Sequence, residues 1–192
     1  MAAEQLIWIN REIEKMDSIK SRLMSGNAKW EAAGDEIEKL RKKTAEHGQD
    51  PYAIVICCSD SRVIPEEIFS CGIGELFVIR VAGNVLDNHQ LGSIEYAAAH
   101  LGCKMILMLG HTGCGAVSAA LSGHSDGFIS YITDDILDAI GYETDPDTAC
   151  RINVKHGISL IRKEFSNHPE IPEVEIAGAI YDIMTGAVEW LD

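Results

Sequence analysis

The chain has 192 residues, 46% of them hydrophobic, which is an ordinary composition for one globular domain. Its 16 basic and 30 acidic residues give a formal net charge of −14. Too few cations remain to neutralise phosphates, so we expect no nucleic-acid or anionic-membrane partner. No apolar run is long enough to cross a membrane, and polar and charged residues interrupt the first dozen positions. We therefore expect neither a membrane span nor a signal peptide. The six cysteines then favour a reducing compartment, and we expect a cytoplasmic protein.

Residues 1–48 are predicted to form a helical arm, and residues 49–192 an α/β domain. Apolar residues recur every three or four positions over residues 2–24, which indicates an amphipathic helix. Asn27 is expected to cap a second helix, which would end at Gly48, where a left-handed residue is favoured. An arm of this kind usually covers a core or clasps a second subunit.

Short apolar runs alternate with helical segments from Ile54 to about residue 122. The predicted strands are the run that begins at Ile54, Leu76–Val81 and Met105–Leu109, and the helices are a short one that begins near Pro65, Asn88–Leu101 and Gly115–Leu121. Such alternation predicts parallel strands joined by right-handed crossovers. Farther along, we predict helices over Ile129–Ile140 and Asp147–Phe165, a strand over Glu175–Ile183 and a hairpin through Thr185 and Gly186 into Ala187–Leu191. The predicted fold class is therefore α/β: a mainly parallel central β-sheet flanked by helices, with an N-terminal helical arm and a C-terminal hairpin.

Thiols and an imidazole follow the carboxyl ends of two predicted strands. Cys58 comes at the end of the first strand, and His111 and Cys114 follow the third. Because these ends meet at one edge of a parallel sheet, the three side chains are expected to converge there. Two thiolates and one imidazole suit zinc, and three protein ligands leave the open fourth position of a catalytic site. Cys57 should point to the opposite face of the strand, so we expect it in the core and not at the metal.

An acidic and a basic residue stand two and four positions after Cys58. A bidentate pair with Arg62 would keep Asp60 ionised beside a cation and leave it able to accept a proton from a zinc-bound hydroxide. Each half of this pattern has a plainer interpretation. Lone Cys and His residues near strand ends usually pack in the core, and an Asp-Arg pair is usually a surface contact or a cap. The pattern is therefore informative only when its parts are taken together.

Taken together, the two motifs resemble those of the β-class carbonic anhydrases, with features of the plant-type subgroup. They are Cys58-Ser59-Asp60-Ser61-Arg62 and His111-Thr112-Gly113-Cys114, and the resemblance runs from about Gln49 to Leu121. It implies that Cys58, His111 and Cys114 bind one Zn²⁺ per chain. It further implies that the Asp60–Arg62 dyad orients a zinc-bound hydroxide for the reversible hydration of CO2 to bicarbonate and a proton, the reaction of a zinc lyase.

The resemblance also implies a substrate pocket. Its residues would be Gln49, Phe77, Ala82, Tyr96 and Gly115. Gln49 would donate a hydrogen bond to the substrate. Ala82, which stands where the plant-type pocket has a valine, would widen the pocket slightly. For Phe77, Ala82 and Tyr96 the plainer interpretation is core packing, and it stays open.

A homodimer or tetramer is expected from the resemblance, with the site at the dimer interface. Gln49, Phe77 and Tyr96 would then act on the zinc of the neighbouring subunit, and the N-terminal arm would clasp that subunit. Two other functions stay open at this point. One is hydrolysis of CS2 or COS on the same scaffold. The other is a structural-zinc or thiol-redox binding module, with a closed four-ligand site or a Cys58–Cys114 disulfide.

Overall fold

The computed structural model describes residues 18–168 and 171–191. The chain divides into two compact units, Met1–Lys43 and Thr44–Asp192. No helix within the described ranges is long and apolar enough to span a membrane.

Two helices open the described part of the chain. Residues 18–31 form α1, and α2 follows at Asp35–His47. The part of the predicted first helix that precedes residue 18 lies outside the described residues. The helix α2 ends as predicted, because Gly48 has a φ of +83° and its N–H donates to the Thr44 carbonyl at 2.9 Å.

The break between α1 and α2 falls at residues 32–34, so the predicted helix start at Asn27 is wrong. Asn27 lies inside α1. Acidic residues fill the first turn of α2, where they suit the positive end of the helix dipole. The Arg41 guanidinium donates to the carbonyl groups of Trp30 and Glu31 at 3.0 Å each, at the end of α1. These charges and carbonyl contacts favour the later break.

The described residues of the second unit form a five-stranded sheet, which confirms the predicted α/β class. The strands are β1 (Ala53–Cys57), β2 (Leu76–Arg80), β3 (Met105–His111), β4 (Glu175–Tyr181) and β5 (Val188–Leu191). They lie in the order β2-β1-β3-β4-β5; the first four are parallel, and β5 forms the predicted hairpin with β4. The helices are α3 (Pro65–Ile68), α4 (Asn88–His100), α5 (Gly115–Leu121), α6 (Ile129–Ile140) and α7 (Pro146–Ser166), with a 3₁₀ turn at Ala82–Asn84.

Several element boundaries differ from the prediction by one or more residues, and local contacts account for some of them. The strand β3 continues through His111, so this potential ligand is the last strand residue. The strand β4 ends at Tyr181, because the Asp182 carboxylate accepts two backbone hydrogen bonds of 2.8 Å and turns the chain. The helix α3 is a single turn, since Ser70 has a positive φ of 53°. Local hydrogen bonds and dihedral angles determine where such strands and helices end, and the hydrophobic periodicity of a sequence does not reveal these contacts.

Side chains alternate across the sheet and pack into two apolar clusters. Along β1, Ile54 and Ile56 face the cluster that α4, α5, α6 and α7 cover, and Cys58 continues this row. Val55 and Cys57 belong to the other cluster. All five residues are buried. The alternation places the two neighbouring cysteines on opposite faces and directs the Cys58 sulfur to the helix-covered side.

Gly110→Ala is expected to destabilise the fold by about 1–3 kcal/mol, because no space is left for a side chain. A Cβ at Gly110 would lie 2.6 Å from Val154 Cγ2 and 2.8 Å from Ile180 Cδ1. Denaturant unfolding measures the change in the free energy of unfolding. Gly92→Ala is the matched control in α4, where nothing in the surrounding structure comes within 4 Å of an added Cβ. That control should be neutral or more stable by up to about 1 kcal/mol. A Gly110→Ala protein as stable as the wild type would contradict this packing.

Candidate metal centre

Three potential metal ligands meet at the carboxyl edge of the sheet. Cys58 directly follows β1, His111 is the last residue of β3, and Cys114 is the N-cap residue of α5. Because β1 and β3 are neighbouring parallel strands, their ends bring the ligand atoms within 4.8 Å of one another. All three residues are buried. The structure therefore brings together the three ligand positions that the sequence motifs indicate.

The imidazole of His111 is oriented for coordination. Its Nδ1 lies 3.0 Å from the Thr112 carbonyl oxygen, which can only accept, so Nδ1 carries the hydrogen and Nε2 keeps a lone pair. That Nε2 is buried and has no hydrogen-bond partner among the described residues. Burial lowers the pKa of His111, but the neighbouring Cys58 sulfur and the Thr112 carbonyl raise it by more. A buried nitrogen without a partner costs free energy, and a bound metal ion would meet that need.

The surroundings shift the pKa values of the two cysteines in opposite directions. Cys58 Sγ lies close to the Cys114 sulfur and the His111 imidazole, and the backbone amides of Asp60 and Gly83 donate to it at 3.4 and 3.3 Å. These contacts lower the pKa of Cys58 to about 4 against the opposing effect of burial. The neighbouring Cys58 sulfur and burial raise the pKa of Cys114. Two sulfurs with one imidazole are a donor set that fits zinc.

Asp60 and Arg62 form a bidentate ion pair next to the donors. Arg62 Nε lies 2.9 Å from Asp60 Oδ1 and Arg62 Nη2 lies 2.7 Å from Oδ2, while the Arg62 backbone N–H donates to Oδ1 at 3.0 Å. These hydrogen bonds from Arg62 hold the pKa of Asp60 well below its usual range. Arg62 Nη2 also reaches the Gly113 carbonyl at 3.4 Å. The pair is thereby joined to the turn that carries His111 and Cys114.

Arg80 and Gly83 also hold the chain at Cys58 and Asp60, although neither belongs to the sequence motifs. Arg80 ends β2 and donates to the carbonyls of Asp60, at 2.7 Å, and Cys58, at 3.3 Å. Gly83 has a φ of +67°, and a Cβ there would lie 2.8 Å from Ile136 Cδ1, so glycine is required. A cation at the end of a neighbouring predicted strand is a sequence signal that indicates Arg80. The role of Gly83 has no such signal.

Two of the predicted pocket residues adjoin the donors along the chain. Ala82 opens the 3₁₀ turn and precedes Gly83, whose amide donates to Cys58. Gly115 opens α5 immediately after Cys114. Both therefore lie next to the donors along the chain, and their part in a substrate pocket stays a prediction.

The other three predicted pocket residues are Gln49, Phe77 and Tyr96, and they have no described hydrogen bond or ring contact with the donors. Phe77 packs against the apolar core, and its ring centroid lies 6.2 Å from that of Tyr96, which is 47% exposed. Gln49 is exposed ahead of β1. Within the described ranges, no hydrogen bond or ring contact links these three to the donor residues. Core packing thus accounts for Phe77 but not for Tyr96.

The remaining cysteines lie outside the donor set. Cys57 is buried on the opposite sheet face, where desolvation raises the pKa of its thiol to about 12. Cys103 Sγ donates to the Pro51 carbonyl at 3.1 Å, and burial raises the pKa of Cys150 to about 11. All the cysteines of the chain are free thiols. The core position of Cys57, predicted from strand alternation, is confirmed.

Comparison with known proteins identifies similar sequences. A family model described as carbonic anhydrase matches residues 53–188 of the chain. Carbonic anhydrase 2 of Mycobacterium tuberculosis (strain ATCC 25618 / H37Rv) is 49% identical over 89 residues, which cover 45% of this chain and 43% of that protein. The matched segment thus spans less than half of the mycobacterial protein. The carbonic anhydrase of Pseudomonas aeruginosa is 32% identical over 171 residues, covering 75% of this chain and 74% of that protein.

A solved structure is similar over nearly the whole fold. It is one of two tetrameric β-carbonic anhydrases from the filamentous ascomycete Sordaria macrospora, with a TM-score of 0.74 and 29% sequence identity. The match covers 91% of this chain and 97% of that chain. The sheet and helices described above are therefore shared with that protein.

Proposed function

Since the chain belongs to the β class of the carbonic anhydrase family, we propose that it catalyses the zinc-dependent, reversible hydration of carbon dioxide to bicarbonate and a proton. The observation that carries the proposal is a buried set of two sulfurs and the His111 Nε2, which has no partner within the described residues, next to an ionised Asp60. A structural zinc site closes with four protein ligands and needs no ionised acceptor beside it. Three donors with an adjacent carboxylate support catalysis.

Cys58, His111 and Cys114 are the proposed ligands of one Zn²⁺ per chain. When bound there, zinc supplies the Lewis acidity that brings the pKa of a coordinated water to about 7. The Nδ1 hydrogen bond of His111 fixes the imidazole tautomer, and two backbone amides stabilise the Cys58 thiolate. Ligands that are already oriented in this way lose little freedom when they bind an ion, which supports tight binding.

Asp60 is proposed to orient the attacking oxygen, and Arg62 to keep Asp60 ionised. Within the described ranges, Oδ2 of Asp60 accepts one hydrogen bond, from Arg62 Nη2, so it retains a lone pair for the nucleophile. Oδ1 accepts from both the side chain and the backbone of Arg62, which stops the carboxylate from rotating. A fixed acceptor speeds the reaction because the reacting groups are already aligned.

The substrate pocket is proposed to be completed by a second copy of the chain. Ala82 and Gly115 would line it from one subunit, and Gln49, Phe77 and Tyr96 from the neighbour. The exposure of Gln49 and Tyr96 supports this arrangement. The tetrameric relative from Sordaria macrospora supports assembly of this chain as well.

Residues 1–48 are the proposed arm of such an oligomer, and residues 49–192 the catalytic domain. Light scattering at micromolar protein concentration tests the assembly, and a fully active monomer would contradict it. A cytoplasmic location is also proposed, because six free thiols are best preserved in a reducing compartment.

Assays of the purified protein with CO2, CS2 and COS, combined with its zinc content, test the proposed reaction. We expect about one zinc per chain and hydration of CO2 that rises with pH around neutrality. Efficient turnover of CS2 or COS with negligible CO2 hydration would favour a hydrolase on the same scaffold. An inactive protein whose zinc has four protein ligands would favour a structural site. An inactive protein with a Cys58–Cys114 disulfide would favour a thiol-redox module.

A further inference from the structure

The turn at Val81–Asn84 presents a backbone amide to a proposed metal ligand. The N–H of Gly83 donates to Cys58 Sγ at 3.3 Å. The turn is tied to the end of β1, because Val81 exchanges backbone hydrogen bonds of 3.1 and 3.2 Å with residues 57 and 59. It closes with a hydrogen bond of 2.9 Å from Asn84 N–H to the Val81 carbonyl. These contacts hold the side of Gly83 that faces β1.

Asn153 on α7 holds the other side of Gly83. Its Nδ2 donates to the Gly83 carbonyl at 2.8 Å, and the residue is only 5% exposed. The two residues are 70 positions apart in the sequence. Since Gly83 has no side chain, its backbone groups are its only means of being oriented, and Asn153 supplies the contact from the helix layer.

We propose that Asn153 is a positioning residue for the metal centre. By holding the Gly83 carbonyl, it keeps the Gly83 amide directed at Cys58 Sγ and thereby slows the loss of the bound metal. The inference rests on the proposed zinc site. Hydrogen bonds outside the ligands commonly change metal affinity by about 10- to 100-fold. Asn153 acts through one further residue, so we expect an effect of about tenfold.

The variants at Asn153 are chosen to remove the hydrogen bond to the Gly83 carbonyl while a side chain of similar size still fills the position. Asn153 borders a cavity of about 190 Å³ with Asp135 and His156, so in an alanine variant water can enter and donate to the Gly83 carbonyl. Asn153→Leu excludes that water and has nearly the same shape. Asn153→Asp keeps the shape and, when ionised, turns a carboxylate oxygen that cannot donate toward the carbonyl; since burial favours the protonated acid, this variant is measured at alkaline pH. Thr133→Val is the matched control, because Thr133 is a buried polar residue of α6 whose hydroxyl contacts lie within residues 125–130.

Release of zinc to an excess of a colorimetric chelator is followed over time in the wild type and the three variants, with thermal unfolding as the check on folding. We expect Asn153→Leu and Asn153→Asp to release zinc about tenfold faster than the wild type, and Thr133→Val to release it at the wild-type rate. In the Co²⁺-loaded proteins, the thiolate-to-cobalt charge-transfer band should move to longer wavelength in both Asn153 variants. Loss of a hydrogen bond raises the energy of the sulfur lone pair, and Thr133→Val, which leaves Asn153 in place, should keep the wild-type band.

Wild-type release from either folded Asn153 variant would overturn the inference and leave the proposed function intact. The same holds if Thr133→Val accelerates release to the same degree, or if both Asn153 variants fail to fold while Thr133→Val folds. A wild-type protein that takes up neither zinc nor cobalt would instead overturn the proposed function.

Discussion

Asp60→Asn is expected to slow CO2 hydration by roughly 10²- to 10⁴-fold while the bound zinc stays in place. Arg62 Nε and Nη2 each donate to a different carboxylate oxygen, so an asparagine amide loses one of these hydrogen bonds in either orientation. An NH2 group in the place of Oδ2 would also be unable to accept a proton from the nucleophile. Because Arg62 holds the pKa of Asp60 well below its usual range, the carboxylate is ionised at neutral and alkaline pH alike. The loss of rate should therefore be the same across that range.

Stopped-flow hydration with a pH indicator measures this rate, and zinc is determined on the same samples. Asp87→Asn is the matched control. Asp87 caps α4 by accepting from the amides of His89 and Gln90, and asparagine caps helices about as well as aspartate. The control should hydrate CO2 at the wild-type rate. Unchanged hydration in Asp60→Asn would remove Asp60 from the mechanism, and loss of zinc together with activity would make it a support of the metal instead.

Cys114→Ser should abolish zinc retention and reduce CO2 hydration to the background rate. A serine hydroxyl is not ionised at neutral pH and is a weaker donor than a thiolate, so Cys58 and His111 would remain as the strong ligands. Loss of contacts outside the ligands already costs about 10- to 100-fold in affinity, so loss of a ligand should cost more than about 100-fold. Added zinc should raise the thermal stability of the wild type, and this rise should vanish in the variant.

A buried thiol outside the donor set provides the control for Cys114→Ser. Cys103 Sγ donates to the Pro51 carbonyl at 3.1 Å, and a serine hydroxyl can donate to the same acceptor. Cys103→Ser should therefore keep about one zinc per chain and its activity. Full zinc content and activity in Cys114→Ser would show that the proposed ligand set is wrong.

The amino-acid sequence alone was enough to predict a mainly parallel sheet and the convergence of the three potential metal ligands at one of its edges. Apolar runs alternate with helical segments, and this pattern indicates parallel strands whether or not the partners are known. The two-residue period of a strand separates Cys57 from Cys58, and the shared edge of parallel strands brings Cys58 to His111 and Cys114. These features depend on local periodicity and on chain direction, and both can be read directly from the sequence.

Only the tertiary structure showed which side chains distant in sequence support the candidate metal centre, and where some helices and strands end. Arg80 donates to the chain after β1, and Asn153 reaches Gly83 across 70 positions of sequence. The break between α1 and α2 lies beyond Asn27, where Arg41 meets the last carbonyls of α1. Each of these contacts joins a side chain to the backbone of another segment. Such a pairing depends on how the segments pack in three dimensions. The place of Arg80 near a strand end marks it as a candidate, but the sequence does not identify the groups that each side chain contacts.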